Sequence, residues 1–283
     1  MKKLILKIVQ FSFLFVPLFL LAQDFQGKAY YQSKTTIDLK MENDHMSEEQ
    51  AKMMQEMLKK QFEKSFVLTF DKEASIYKQE EQLDKPTGGS SVGVQMIMIG
   101  SSVNEKLYKN TKTKRYAREQ NLFGKPFLVK DELKSQDWKL GDESKMIGKY
   151  LCFKATAVRE VKRMEFESKH SEDEKSDEVK EEMEEQKITA WYTSDIPVNH
   201  GPDNYWGLPG LIMELNVDET QYMCTKIVMN SKDKIEIKEP TKGKVINSKK
   251  FNELMEKKMK EMEINRGRES RGDGNRINIQ IGG

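Results

Sequence analysis

The sequence predicts a mainly β chain: one curved antiparallel sheet or half-barrel, with an inserted amphipathic helix and a C-terminal helix. Three observations carry this. Short stretches that alternate aromatic or β-branched residues with polar ones recur along the chain, separated by turn-forming clusters. Only two stretches, around 48–63 and 247–264, show helical spacing instead. Much of the charge is gathered into segments with almost no apolar residue, so the folded core is smaller than 283 residues would suggest. Successive hairpins of this kind make antiparallel sheets, open or closed part way into a barrel.

The chain opens on Lys2, Lys3 and Lys7, then an almost wholly apolar run from Ile8 to Leu21, ending at Ala22. This reads as a signal peptide over residues 1–22. The run is short for a membrane span and no stop-transfer pattern follows, so the mature chain is not expected to be transmembrane. The protein is expected to be exported: periplasmic, outer-membrane-associated or secreted. The whole chain has 48 basic and 46 acidic residues; without the three leader lysines the balance is 45 to 46, or −1. Nucleic acid is therefore not an expected partner, because it needs a concentrated basic face.

Residues 23–246 are expected to form one β-rich domain, followed by a helix and tail over 247–283. Gln26–Leu39 reads as the first strand. Ser47 and Gln50 form a capping box, and Met54, Leu58 and Phe62 follow at helical spacing, which gives the inserted helix over 48–63. Ser65–Gln79 reads as a hairpin turning at Asp71–Glu73. Thr87–Gly93 is a Gly/Ser linker without the Gly-Lys-Ser/Thr of a phosphate loop. Val94–Ile99 is a short apolar run. Lys106–Tyr108 and Lys114–Ala117 read as strands across a turn. Leu122–Val129, with Gly124 and Pro126, reads as one edge or bulged strand.

Ile147–Ala155 is a further strand pattern, with Gly148 marking a kink. The segment 165–186 is so rich in Glu, Asp and Lys that it reads as a solvated loop or frayed helix. Lys187–Thr193, Leu211–Val217 and Tyr222–Met229 alternate as strands, the last two across a turn at Asp218–Thr220. Lys234–Lys238 reads as the final strand. Ser248 is the expected N-cap of the last helix. The tail from Asn265 reads as disordered.

The most informative stretch is Trp191–Leu215. Pro197, Gly201, Pro202, Asp203 and Asn204 mark a loop. Pro209 fixes its own φ and pushes Leu208 away from helix, while Gly207 and Gly210 permit positive φ or close approach. Leu211, Met213, Leu215 and Val217 then alternate with Ile212, Glu214 and Asn216. The hexapeptide Gly207–Ile212, GLPGLI, resembles the signature of the GLPGLI family of Bacteroidetes exported proteins. Trp191-Tyr192-Thr193, Ile196-Pro197 and Gly201-Pro202 resemble its lead-in, and the likeness runs from about Lys145 to Val228. The resemblance implies an exported protein and assigns no activity.

No catalytic signature is present. His45, His170 and His200 are the only histidines, outside any metalloprotease motif, and there is no Gly-x-Ser-x-Gly elbow. His200, near Ser194, Asp195 and Asp203, is the best candidate for a hydrolase. Met41, His45, Met46, Met53, Met54 and Met57 raise copper handling as an alternative, since thioethers favour Cu(I); packing of a Met-rich helical face explains them more simply. Cys152 and Cys224 are the only cysteines, and in an oxidising compartment one bridge between them is as plausible as two buried thiols.

The leading expectation is a non-enzymatic exported envelope protein without cofactor or metal, binding an apolar small molecule or an outer-membrane or envelope partner. The expected binding residues are Trp191, Tyr192, Pro197, Gly201, Pro202, Trp206, Gly207, Leu208, Pro209, Gly210, Leu211 and Ile212. Rigid aromatics beside such a loop suit recognition. The competing reading is that both tryptophans close one end of the core.

Overall fold

A computed structural model describes residues 25–36, 62–80, 106–168, 177–230 and 236–269, together with Glu49. Among them the chain is mainly β, with one large open sheet and one helix. The strands are β1 (Gly27–Thr35), β2 (Glu63–Phe70), β3 (Ala74–Gln79), β4 (Lys106–Asn110), β5 (Arg115–Leu122), β6 (Lys125–Glu132), β7 (Lys139–Ile147), β8 (Tyr150–Ser168), β9 (Asp177–Thr193), β10 (Leu211–Val217), β11 (Thr220–Met229) and β12 (Lys244–Ile246); the helix is α1 (Ser248–Glu269). The sheet order is β12-β6-β5-β4-β3-β2-β1-β11-β10-β9-β8-β7. Every described pair is antiparallel except β12 on β6.

Local chemistry explains most of the turns. Asp71 Oδ1 accepts hydrogen bonds from the amides of Glu73 (2.8 Å) and Ala74 (2.6 Å), an Asx turn that closes the β2–β3 hairpin. Asn110 does the same for Thr113 at 2.8 Å between β4 and β5. Gly148, at φ 58°, is the β7–β8 turn.

Four expectations are corrected. Leu122–Val129 is two strands: Phe123 and Gly124, at φ 51° and 77°, form a tight turn, and Pro126 sits opposite Asn121, clear of the Phe127–Val129 ladder with β12. The charged segment from Glu165 is largely a two-stranded ribbon, because β8 and β9 carry their register outward from apolar pairs such as Ala155–Ala190 and Ala157–Ile188. A two-stranded ribbon is fixed by its backbone register, so a charge-rich composition does not forbid it. Glu236–Lys238 is not strand; the terminal strand is β12. The cap of α1 is Asn247, whose Oδ1 accepts from Lys250 N at 2.9 Å, while Ser248 bonds through its amide (3.0 Å) and hydroxyl to Asp131. Of the inserted helix, only Glu49 and Phe62 are described, and both are helical. The leader, Thr87–Gly93, Val94–Ile99 and the tail from Ser270 lie outside the described residues.

The sheet is rolled. β6 and β7 stand ten steps apart in the sheet order, about 48 Å if it were flat. They are joined by Leu133–Trp138, and this connection can span no more than about 25 Å. The two ends of the sheet must therefore approach each other, which is how sheets beyond about ten strands usually behave.

β10 lies inside this roll between β9 and β11, as its apolar pattern requires, and all of its residues but Asn216 are buried. It does not keep a single alternation. The ladder with β9 pairs Ile212 with Tyr192 and Glu214 with Trp191, so Met213 is an extra residue in a bulge. In consequence Leu211 and Met213 join one cluster, with Tyr31, Leu68, Tyr77 and Leu107, while Ile212, Leu215 and Val217 join another, with Ala155, Ile188, Ala190 and Tyr192. A third cluster seats Phe251 of α1 against Phe127, ring centroids 5.6 Å apart.

Gly210 enters β10 pressed against β9: a Cβ there would stand 2.1 Å from the carbonyl oxygen of Thr193. At Gly141 the nearest atom would be 3.4 Å away, an ordinary contact. Gly210→Ala is expected to destabilise the fold by more than about 2 kcal/mol, as overpacking against backbone does. Gly141→Ala is expected to change little; denaturant unfolding of the two variants checks the contrast.

Candidate functional site

The loop 194–210, between β9 and β10, is folded back on itself by its own backbone. Val198 N donates to Ile196 O (2.8 Å), Gly207 N to Asn199 O (3.0 Å), Leu211 N to Ile196 O (3.1 Å) and Ile212 N to His200 O (3.1 Å). Gly207 sits at φ 99°, the left-handed region in which glycine alone is relaxed.

Most of the residues expected to bind are interior. Tyr192, Gly201, Pro202, Trp206, Leu208, Gly210, Leu211 and Ile212 are buried. Leu208 is 1% exposed and packs with Tyr205, Ile212 and Leu215, so side chains fill the space under Leu208–Leu215. Pro197, Gly207 and Pro209 are exposed, and Trp191 is half-buried with Lys145 Nζ 4.3 Å from its ring centroid. That lysine also pairs at 2.6 Å with the buried carboxylate of Glu214.

The loop is tied to both ends of the rolled sheet. Trp206 Nε1 donates to Lys134 O (3.0 Å), and Trp138 Nε1 donates to Trp206 O (2.8 Å), so the β6–β7 connection and the loop hold each other. From the other side, Lys109 on β4 donates to Gly201 O at 2.7 Å and to Asp203 O. Arg118 on β5 pairs with the Asp203 carboxylate at 2.5 Å. Tyr31 OH donates to Ile212 O at 2.6 Å, and Arg159 on β8 reaches Tyr205 OH at 3.1 Å.

Lys109 and Arg118 were not singled out from the sequence. A signal existed: both occupy the same side of their strands as apolar or aromatic neighbours two residues away, Leu107 and Tyr116, where a solvated charge does not belong.

Burial governs the charges here. It draws the Lys109 ammonium down to about 7, with Asp203 opposing and Arg118 adding to the fall. Burial also pushes the Asp203 carboxyl up, but Arg118 and then Lys109 outweigh it and leave it below its usual value. The His200 imidazole is lowered to about 3 by burial first and the Lys109 charge second. Its Nε2 lies 3.1 Å from Asp71 O, its ring is 6.2 Å from that of Phe70, and among the described residues its Nδ1 has no hydrogen-bond partner. Ser194 and Asp195 are at the surface while His200 is inside, and Asp203 is engaged by Arg118. The structure thus does not assemble these neighbours in sequence into one constellation. The methionine cluster at 41–57 lies outside the described residues.

Cys152 and Cys224 are both free and buried, the second of the two alternatives left open by the sequence. They belong to β8 and β11, with β9 and β10 between, and share one buried cluster. Burial raises the two thiols to about 11 and about 12.

These shifts set a pH dependence. Between about pH 7 and 10 an unfolded chain keeps the Lys109 proton that the folded chain has released, so stability rises with pH across that window. Below about 6.5 the unfolded chain takes up a proton that His200 refuses until about 3, so stability falls as the solution is acidified. Denaturation midpoints measured from pH 4 to 10 are expected to show both trends, and Lys109→Met to flatten the upper one.

No curated protein is significantly similar to the chain. Among solved structures, two crystal forms of PNGF-II, in space groups C2 and P21, are similar at TM-scores of 0.44 and 0.45 with 13% and 12% identity, over 81% of this chain. The chain spans about a third of those structures' own length, 32% and 33%. Residues 138–214, from the tryptophan that locks the loop to the middle of β10, match a family described as a protein of unknown function (Porph_ging).

Proposed function

We propose that this chain is a non-enzymatic exported protein of the cell envelope, of the GLPGLI type, that binds a partner through the rim of the loop 194–210. One observation carries the reading. Pro197, Gly207 and Pro209 are held at the surface by a buried frame of Ile196, Val198, Trp206 and Leu208. A rim fixed in this way loses little conformational freedom on binding.

The same geometry redirects the expectation of an apolar ligand under the loop, because that space holds the chain's own side chains. It favours a protein partner at the envelope over a small molecule. It also favours binding over catalysis, since the ionisable side chains of the loop region act as tethers: Lys109 on two carbonyls, Asp203 on Arg118 and His200 on a backbone oxygen. The leader over 1–22 supports export.

Photo-cross-linking in intact cells tests the reading. A cross-linking residue at Pro197 or Pro209 is expected to give one defined envelope adduct, and one at Phe123, on the β5–β6 turn, none. Equal labelling at all three positions, retention of the chain in the cytoplasm, or a hydrolytic activity abolished by His200→Ala would each contradict it.

A further inference from the structure

We propose that a structural water molecule is bound between Lys109, Ser75 and His200, where the loop 194–210 meets strands β3 and β4, and that it completes the hydrogen bonding of the Lys109 side chain. Register brings two of these residues together. Ser75 on β3 stands directly opposite Lys109 on β4, so their side chains share one face of the sheet. On its other side Ser75 stands opposite Phe70 of β2, and the His200 ring lies 6.2 Å from the ring of Phe70. His200 is held there through Nε2, 3.1 Å from Asp71 O, while Lys109 Nζ donates at 2.7 Å to the carbonyl of the next residue, Gly201. Ser75, Lys109 and His200 are all 0% exposed.

Each of the three has hydrogen-bonding capacity left over. Ser75 Oγ and His200 Nδ1 have no partner among the described residues. The tautomer of His200 follows from its neighbour: a carbonyl oxygen only accepts, so Nε2 carries the proton and Nδ1 is a bare acceptor. Lys109 gives two hydrogen bonds, to the carbonyls of Gly201 and Asp203. That leaves a third N–H on an ammonium, or a lone pair on a neutral amine. A buried polar atom without a partner is costly, and native structures leave few of them.

Water suits this set and ions do not. It donates to His200 Nδ1, accepts from the ammonium or donates to the amine, and exchanges a bond of either sense with the Ser75 hydroxyl. An anion is repelled by the bare lone pair of His200, and a metal cation by the charge of Lys109. Three partners is the usual number for a buried water, which makes about two to four hydrogen bonds. Tyr77 lies two residues from Ser75 on the same face, and its hydroxyl, also without a partner among the described residues, borders the site. His200 and Gly201 belong to the loop 194–210, so the loop is one wall of the site. The water leaves only when the loop does, and its residence time measures loop opening.

A crystal structure at atomic resolution, with water-selective NMR in solution, tests the proposal. One solvent peak is expected within about 3.2 Å of Lys109 Nζ, Ser75 Oγ and His200 Nδ1. Crystals soaked in bromide are expected to give no anomalous signal at that peak. In solution the His200 ring protons are expected to show Overhauser contacts to water with the sign of slow, protein-bound motion. Ser75→Val puts methyl groups where the water sits, and is expected to abolish those contacts and lower the denaturation midpoint. Ser75→Ala is expected to keep them, since Lys109 and His200 still hold the water. Should Ser75→Val fail to fold, the solvent peak and the contacts in the unaltered protein decide the matter. A direct hydrogen bond from Ser75 or Lys109 to His200 Nδ1 with no solvent peak, a bromide signal at the site, or water contacts to His200 that survive Ser75→Val would each overturn it.

Discussion

A lysine side chain with no access to bulk water is the tie on which this structure depends. Lys109 is 0% exposed, and its hydrogen bonds go to two backbone carbonyls of the loop, beside an aspartate paired with Arg118. Burying such charge is costly unless it is hydrogen-bonded and paired, and removing one partner leaves the other stranded. The loop therefore cannot leave its seat without exposing or orphaning Lys109, Arg118 and Asp203 together. The indoles of Trp138 and Trp206 complete the tie from the opposite end of the sheet. The loop thus bridges strands that a flat sheet would hold far apart and fastens the roll that the β6–β7 connection imposes.

This arrangement gives the Gly-Leu-Pro-Gly turn a physical meaning. Gly207 adopts a left-handed φ, Gly210 lets β10 lie against Thr193, and Leu208 fills the cluster below. Pro209 stays outside and stiffens the turn between them. Each residue is explained by entry into a buried strand through a confined space. Recognition, in this account, belongs to the few positions the frame leaves at the surface. The ribbon of β8 and β9 adds a second, charged projection whose pairing is inherited from the apolar base of the two strands.

Much of the fold was legible in the sequence. Alternation located most of the strands, the cluster Asp71–Glu73 marked a turn, and the helical spacing after Asn247 marked α1. What misled was composition read in place of register: the charges of 165–186 argued for a loop, whereas the pairing of β8 and β9 runs on from their apolar base. Likewise a bulge at Met213 is invisible to a count of alternating residues, since the extra residue is itself apolar. The site was half legible. Pro and Gly located the loop, but whether Trp206 and Leu208 faced outward or inward depended on partners from β4, β5 and the β6–β7 connection. Those contacts, such as Lys109 with Gly201, are separated by 92 residues and leave no local trace beyond a charge on the apolar side of a strand.

The loop 194–210 is part of the core and not a surface appendage. Native-state hydrogen exchange reads it directly through the amides of Gly207, Leu211 and Ile212, which donate within the loop. These amides are expected to exchange only with global unfolding, as slowly as the interior amides of β10 and β11. Exchange of these amides at the rate of an open surface loop, while Leu215–Val217 stay protected, would show the loop to be an appendage.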